Sequence, residues 1–395
     1  MSFDIALSGI QAINEQLNTV SNNIANAATY GFKSGRANFS SVYAGSKANG
    51  VEIGSITQNI GQNGSSSTTG RALDASIDGR GFFVSRDPQG GLTYSRVGIF
   101  STDTQGFLID SNGKKIQGYG PSKGGALGAM GDIQVPTGQI DASATTGIDF
   151  IGNLSAGWAK PTNALSASDT TSYNMVKQSI AYDALGTQHT VSQYFVKSAD
   201  NTIDVYYGVD KNAIDTTKPS VTLKFDGQGA RTGTTTGTDA IPAAGGAAGF
   251  SVAIDYAGTT QFSGEATTTT NRSDGYASGA FVGVELAGDG SLVAKYSNDQ
   301  SQVVGTVAIA TFANEGALQS ISDTSWTANA DSGAALYNTP GVGLSGKLNT
   351  GTLEGSNVDI TSELVGLMTS QRNYQANSKV LTTESQMMQA LMQAL

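Results

Sequence analysis

Both ends of the chain carry a seven-residue apolar repeat, and that repeat constrains the fold more than any other feature. Phe3, Ile10, Leu17 and Ile24 recur at this interval, and Ala6, Ile13, Val20 and Ala27 recur at the same interval between them. At the other end Ile360, Leu367, Tyr374, Leu381, Met388 and Leu395 share the spacing, with Leu364 and Met392 adding to the stripe. Such a repeat keeps one seam facing a partner helix, so both termini read as coiled-coil-type helices. A two-helix hairpin hides one seam only, and Leu7 and Val365 widen the apolar face beyond it. Packing between copies is therefore expected to cover the rest. The expected assembly interface is Phe3, Leu7, Ile10, Ile13, Leu17, Val20 and Ile24 from the first helix. Ile360, Leu364, Leu367, Tyr374, Leu381, Met388, Met392 and Leu395 supply it from the last.

The chain of 395 residues is long enough for about two to four domains. It has no cysteine, which excludes disulfides and thiolate metal sites. The net charge is −10, and no segment is basic; over 145–284 twelve acids face eight bases. Nucleic acid is therefore not an expected partner. No stretch approaches the roughly 18 apolar residues that cross a bilayer, so membrane insertion is not expected either. The first 29 residues hold Asp4 and Glu15 but no Lys or Arg, so a cleaved leader is not expected.

The expected class is multidomain α+β, with paired terminal helices and nested, mainly-β inner and outer domains. The first helix should span 2–29 within a segment 1–30, with Gly31 supplying a left-handed cap. Residues 31–70 read as an extended connector with short strands such as 51–56. Residues 71–144 read as the first part of an inner β domain. Ser111-Asn112-Gly113 marks a hairpin between apolar runs there, because Asn and Gly tolerate positive φ. Residues 145–284 read as an inserted outer β domain, with strands at 175–182, 188–197, 203–209 and 221–225. Gly229 to Gly249 and Thr267 to Thr270 look like flexible low-complexity loops. Residues 285–325 return to the inner domain, 326–357 form a loop-like connector, and 358–395 form the last helix. Asn357, Asp359 or Thr361 is placed to cap it, with Glu363 in its first turn.

No catalytic constellation emerges. His189 is the only histidine, and on a strand it reads as a sheet-face side chain with nothing beside it that forms a site. Asp289-Gly290-Ser291 lacks the spaced acids of a calcium loop and reads as a turn. Asp74, Asp78 and Asp103 lie among turn residues, where Asp more often caps than catalyses. Gly79-Arg80-Gly81 lacks the helix of a phosphate cradle. Asn271-Arg272-Ser273 matches a glycosylation sequon that chance often produces. No cofactor is expected.

Three separated motifs carry a resemblance. Ser21-Asn22-Asn23-Ile24-Ala25-Asn26, then Thr29-Tyr30-Gly31-Phe32-Lys33, resembles the N-terminal signature of the flagellar rod and hook axial proteins. Glu354-Gly355-Ser356-Asn357-Val358-Asp359 and Gln371-Arg372-Asn373-Tyr374-Gln375-Ala376-Asn377 resemble that family's second signature. Gly79-Arg80-Gly81-Phe82-Phe83 and Tyr94-Ser95-Arg96-Val97-Gly98-Ile99-Phe100 resemble its first β domain. The order is that of the family, and the insertion at 145–284 points to its hook branch rather than its distal rod branch.

The resemblance implies a structural subunit, not an enzyme. Its terminal helices would pack into coaxial tubes around a channel, and its outer domains would slide as a curved tube turns and transmits torque. It also implies the partners: further copies in a helical homopolymer, the flagellar rod, the hook cap, the hook-filament junction proteins and the type III export apparatus. A distal rod or other axial protein is the alternative within the family. A secreted β-rich adhesin or hydrolase with helical oligomerisation ends is the alternative from another class.

Overall fold

The computed structural model describes residues 2–44, 47–121, 126–210, 214–242 and 246–394. Two long helices bracket a mainly-β body, α1 at Ser2–Ala25 and α2 at Ile360–Ala394. The chain divides into two units. One holds 1–137, 283–295 and 301–395, and the other holds 138–282 and 296–300. The second unit thus begins before the expected position 145 and also takes five residues from the expected return segment.

α1 stops four residues short of the expected 29. Asn26 donates its side-chain amide to Asn22 O at 3.0 Å, and its backbone N–H is shared between Asn22 O and Asn23 O. Asn side chains compete for backbone groups in this way, and the helix tightens into turns. Gly31 is left-handed (φ 68°), but it lies beyond these turns rather than at the helix end. A Cβ there would sit 2.9 Å from Val97 Cγ2, so only glycine fits the approach. α2 starts where the capping pattern places it. Asp359 Oδ1 accepts the Thr361 N–H at 2.9 Å and Oδ2 accepts the Ser362 hydroxyl at 2.9 Å.

The segment after α1 is not an extended connector. Gly35–Ala44 and Lys47–Gln58 form a long antiparallel hairpin with two register shifts. It lies along α1. Asn23 exchanges hydrogen bonds with Gly35 at 2.8 and 2.9 Å, and Val51 N–H donates to Ser8 Oγ at 3.2 Å. Ser, Asn and Gly blur the two-residue alternation there, which hides the strands from a periodicity reading.

The large sheet of the first unit places Ser301–Val307, Lys115–Tyr119, Phe82–Arg86, Leu92–Ser95, Ser325–Thr327 and Gln319–Ile321 side by side. Its core gathers Phe82, Val84, Tyr94, Phe312 and Trp326. Tyr94 and Phe312 meet edge-on at 4.8 Å, and Trp326 donates its indole N–H to Gln58 Oε1 at 2.6 Å. The expected loop at 326–357 holds short strands. Lys347–Thr350 pairs with Ala75–Asp78 and Thr352–Glu354 pairs with Ser66–Thr68. Strands this short, paired so far along the chain, leave no local pattern.

The second unit is a two-sheet sandwich. One sheet runs Thr236–Ile241, Phe250–Asp255, Gly147–Asn153, Thr267–Ser273. The other runs Met175–Tyr182, Gln188–Ala199, Thr202–Val209, Val221–Phe225, Arg231–Thr232. Both low-complexity runs therefore contain strands where loops were expected. Thr267 to Thr270 alternates in exposure along its strand, and β-branched threonine suits a half-buried pleat. Phe150, Phe195, Ile203, Leu223, Val252 and Tyr256 fill the core between the sheets.

A buried polar chain crosses that core. Tyr256 OH donates to Gln193 Oε1 at 2.8 Å, and Gln193 Nε2 donates to Ser179 Oγ at 2.8 Å. Ser179 Oγ in turn donates to Asn271 Oδ1 at 2.5 Å. Burial holds the Tyr256 phenol protonated, far above its ordinary range. The sequon asparagine is thus a bonded member of the sheet interface. Tyr256→Phe leaves Gln193 Oε1 short of its donor, so unfolding in urea should show a loss of about 1–3 kcal/mol.

Asp183, Asp210 and Asp274 pin turns and edges of the second unit. Burial raises each carboxyl, but hydrogen bonds outweigh it and all three lie below the usual carboxylate range. Thr187 and Leu185 N–H act on Asp183, Thr190 N–H and His189 on Asp210, and Thr146 and Gly147 on Asp274. Depressed carboxyls stabilise the fold above their unfolded values and lose that contribution as pH falls through their folded values. Thermal unfolding followed against pH should therefore show the second unit weakening only below the ordinary carboxylate range.

Candidate assembly interface

The two ends of the chain meet in a buried polar clamp. Lys33, whose side chain is 0% exposed, donates to Glu354 Oε1 at 2.7 Å and to Gln62 O at 2.7 Å. Arg96 approaches Glu354 Oε2 at 3.5 Å and donates to Ile77 O, Gly79 O and Asn63 Oδ1. Burial pulls the Lys33 ammonium below its ordinary value while Glu354 pulls it back. The backbone adds to the clamp. Gly31 N–H donates to Glu354 O at 2.8 Å, and Gly64 N–H donates to Glu354 Oε1 at 3.0 Å. Asn357 accepts the Ser34 N–H at 2.7 Å and donates to Asn59 O and Gln62 O. It is a crosslink rather than a helix cap.

The helices run antiparallel from this clamp. Asn23 donates to Glu363 Oε1 at 2.8 Å, and a Cβ at Gly9 would lie 2.9 Å from Asn377 Nδ2. Asn377 is as far beyond Glu363 as Gly9 is before Asn23. In this register Ser2 lies level with Glu384, so α2 runs on for ten more residues, about 15 Å.

α1 is covered on two sides, by α2 and by the hairpin, and this divides the expected interface. Ile13 and Val20 are buried within the chain, so they are not on its surface. Ala6, Gly9, Ala12 and Asn23 join them. Ile10, Leu17 and Ile24 are half-buried, and Phe3 and Leu7 are exposed. On α2, Leu367 and Leu381 are half-buried, while Ile360, Leu364, Tyr374, Met388 and Met392 are exposed. Val365, Met368, Val380, Met387 and Leu391, of which only Val365 stood out in the sequence, are exposed too. Leu395 lies outside the described residues.

The family-signature residues separate by role in the same way. Asn23, Gly31 and Lys33 are buried and Phe32 and Asn357 half-buried, all in or beside the clamp. Asn22 and Asn26 bond each other at the end of α1, with Ile24 and Ala25 between them. Gln371, Arg372 and Tyr374 face outward on α2. Arg96, Gln62, Asn63 and Glu363 complete the clamp and the helix contact. Arg96 and Glu354 stood inside motifs, but nothing local pairs them.

The remaining candidates are structural. Asp103 Oδ1 accepts the N–H groups of Gln105 and Phe107, as Asp110 does for Asn112 and Lys114. Asp289 Oδ1 accepts the Ser291 N–H at 2.9 Å. Asp74 accepts the Thr69 hydroxyl at 2.7 Å, whereas Asp78 is exposed. His189 is not the bare sheet-face side chain expected. It is buried, with Nδ1 2.8 Å from Asp210 Oδ2 and Nε2 3.6 Å from Asp183 Oδ2.

The clamp sets two buried cations against one carboxylate, so removing Glu354 should cost most. Glu354→Gln is expected to destabilise the first unit by about 3–5 kcal/mol in urea titrations. Lys33→Met should cost less, because Arg96 remains beside the carboxylate. The double variant should fall short of the sum of the singles, since the two side chains share one network.

Comparison with known proteins agrees with this geometry segment by segment. The family described as flagella basal body rod protein matches 3–33, and the flagellar hook protein FlgE/F/G D1 domain matches 76–156. The flagellar basal body protein FlaE D2 domain matches 153–276, and the flagellar basal body rod FlgEFG protein C-terminal family matches 349–394. Flagellar hook protein FlgE of Salmonella typhimurium is 38% identical, with 99% of each chain covered. That of Escherichia coli strain K12 is 36% identical over the same shares. That of Brucella suis is 31% identical, over 98% of this chain and 96% of the relative. The crystal structure of Helicobacter pylori flagellar hook protein FlgE2 has a similar fold at 12% identity. Its TM-score is 0.52, with 72% of this chain and 99% of that one covered. With 36–38% identity over 99% of each chain, the chain belongs to the flagellar hook protein FlgE family.

Proposed function

We propose that this chain is the structural subunit of a bacterial flagellar hook, polymerising through its terminal helices into a curved, flexible tube that carries torque from rod to filament. One observation carries the reading. The chain covers Ile13 and Val20 internally, yet leaves an apolar stripe along α2 and a ten-residue extension that α1 does not accompany. At the extension Met387, Met388, Leu391 and Met392 are each more than half exposed. Contiguous apolar surface of this kind marks an interaction site. Further copies of the same helix pair have the matching heptad spacing.

The clamp suits a torque-bearing subunit. It ties both helices to the β body through residues far apart in the chain, so force on the helices reaches the body through several bonds at once. The second unit is an insertion whose residues, 138–282 and 296–300, include none of the clamp and neither helix, which supports a role in the tube's mechanics rather than in its helical packing. Delivery by the type III export apparatus, and contacts with rod, hook cap and junction proteins, belong to the same proposal.

Leu364→Asp and Met388→Asp test it. Both positions are exposed, so the monomer should keep its unfolding free energy in urea titrations within about 0.5 kcal/mol. Electron microscopy should nonetheless find no tubes, because assembly would bury an unpaired charge. Wild-type tubes from both variants would sink the assembly role of α2. Ile13→Asp is the contrast: it should unfold the first unit's helical end as well as abolish tubes.

A further inference from the structure

We propose that Asn63-Gly64 is a self-modification site, at which Asn63 deamidates to an acid and thereby balances the charge of the clamp. The clamp buries Lys33 and Arg96 with Glu354 as the one carboxylate that touches both; Glu315 acts on them through space but is itself ion-paired with Arg80, so the two cations share a single contacting carboxylate. Asn63 already touches the excess cation, with Oδ1 accepting from Arg96 Nη2 at 3.0 Å. A carboxylate at that position would be the missing partner.

The surrounding groups are those the reaction needs. The electrophile is the Asn63 carboxamide carbon, polarised by the guanidinium on its oxygen. The nucleophile is the Gly64 backbone nitrogen, which carries no neighbouring side chain to obstruct the ring. The base is Glu354, whose Oε1 lies 3.0 Å from that nitrogen and accepts its proton in a hydrogen bond. Glu354 Oε2 lacks a hydrogen-bond partner and lines a cavity of about 240 Å³ together with Asn63, Gly64, Ser66, Ser76 and Asp78. That volume admits water, and Asn63 is itself exposed.

The step balances without any other reagent. Gly64 N bonds to Asn63 Cγ while Glu354 takes the amide proton. The Cγ–Nδ2 bond breaks, and the proton returns to Nδ2, which leaves as ammonia. Water then opens the cyclic imide to an aspartyl or isoaspartyl residue. Asn49-Gly50 and Asn112-Gly113 share the dipeptide but not the surroundings. Asn112 sits at an exposed hairpin turn, where the Gly113 N–H donates to the Asp110 carbonyl rather than to a carboxylate.

The test uses the full wild-type chain, incubated at neutral pH folded and in urea, then digested and read by mass spectrometry that resolves both acid products. Unfolded, the three asparagines should convert at comparable rates. Folded, Asn63 should convert at least about a hundredfold faster than Asn112, the low end for a positioned base. Equal or slower conversion in the folded chain would overturn the proposal. Because Glu354→Gln is expected to weaken the fold, the charge argument is tested with Asn63→Asp instead. That variant should raise the urea midpoint of the first unit, and a lowered midpoint would overturn the balancing role.

Discussion

The contact of Lys33 and Arg96 with Glu354 is the constraint on which the first unit depends. A buried ion group gains little net stability over a well-packed apolar one, because desolvation consumes most of the attraction. What it supplies is uniqueness. Lys33 and Glu354 are separated by 321 positions, and any slippage of the two ends would leave a charge buried without a partner. The Gly31, Gly64 and Asn357 bonds then leave the chain one way to leave α1 and one way to enter α2. The helix register follows, because Asn23 and Glu363 are a few residues from the clamp on either side.

From that register comes the division of apolar surface. α1 has a wide stripe, and two neighbours use most of it. Small residues, Gly9 and Ala12, let α2 approach closely, while the hairpin covers the side beyond. Among the described residues α2 is covered chiefly by α1, and over only part of its length. The asymmetry divides the two helices: α1 is chiefly an internal element, and α2 keeps most of its apolar side chains exposed. A seam of Asn377, Ser370 and Glu363 is also a more polar contact than a leucine seam.

The second unit rests on different physics. Its sheets close over an aromatic and aliphatic core, and its turns repeat one device. Asp183 and Asp226 each accept two backbone N–H groups, and a glycine three residues on takes the left-handed conformation. Asp103 and Asp110 do the same in the first unit. At these four turns aspartate and glycine recur three residues apart for one physical reason. His189 is set between the carboxylates of Asp183 and Asp210, in a position a lone histidine on a strand does not advertise.

The sequence alone determined the terminal helices, the start of the last helix to within the candidate caps Asn357, Asp359 and Thr361, and most strands of 175–225, because each is written in a local period or a local side chain. It also determined the family, since the signatures need only order and spacing. It missed the hairpin beside α1, the strands in the threonine and glycine runs, and the short pairings of 347–354. In the hairpin and the threonine and glycine runs the side chains are small or polar and blur the alternation, and for 347–354 the hydrogen-bond partners lie far along the chain. Only the tertiary structure decided that Ile13 and Val20 are inside while Leu364 and Met388 are outside. A heptad repeat specifies which residues share a face of a helix. What covers that face depends on elements brought in from elsewhere, and here the buried Lys33–Glu354 contact brings them in.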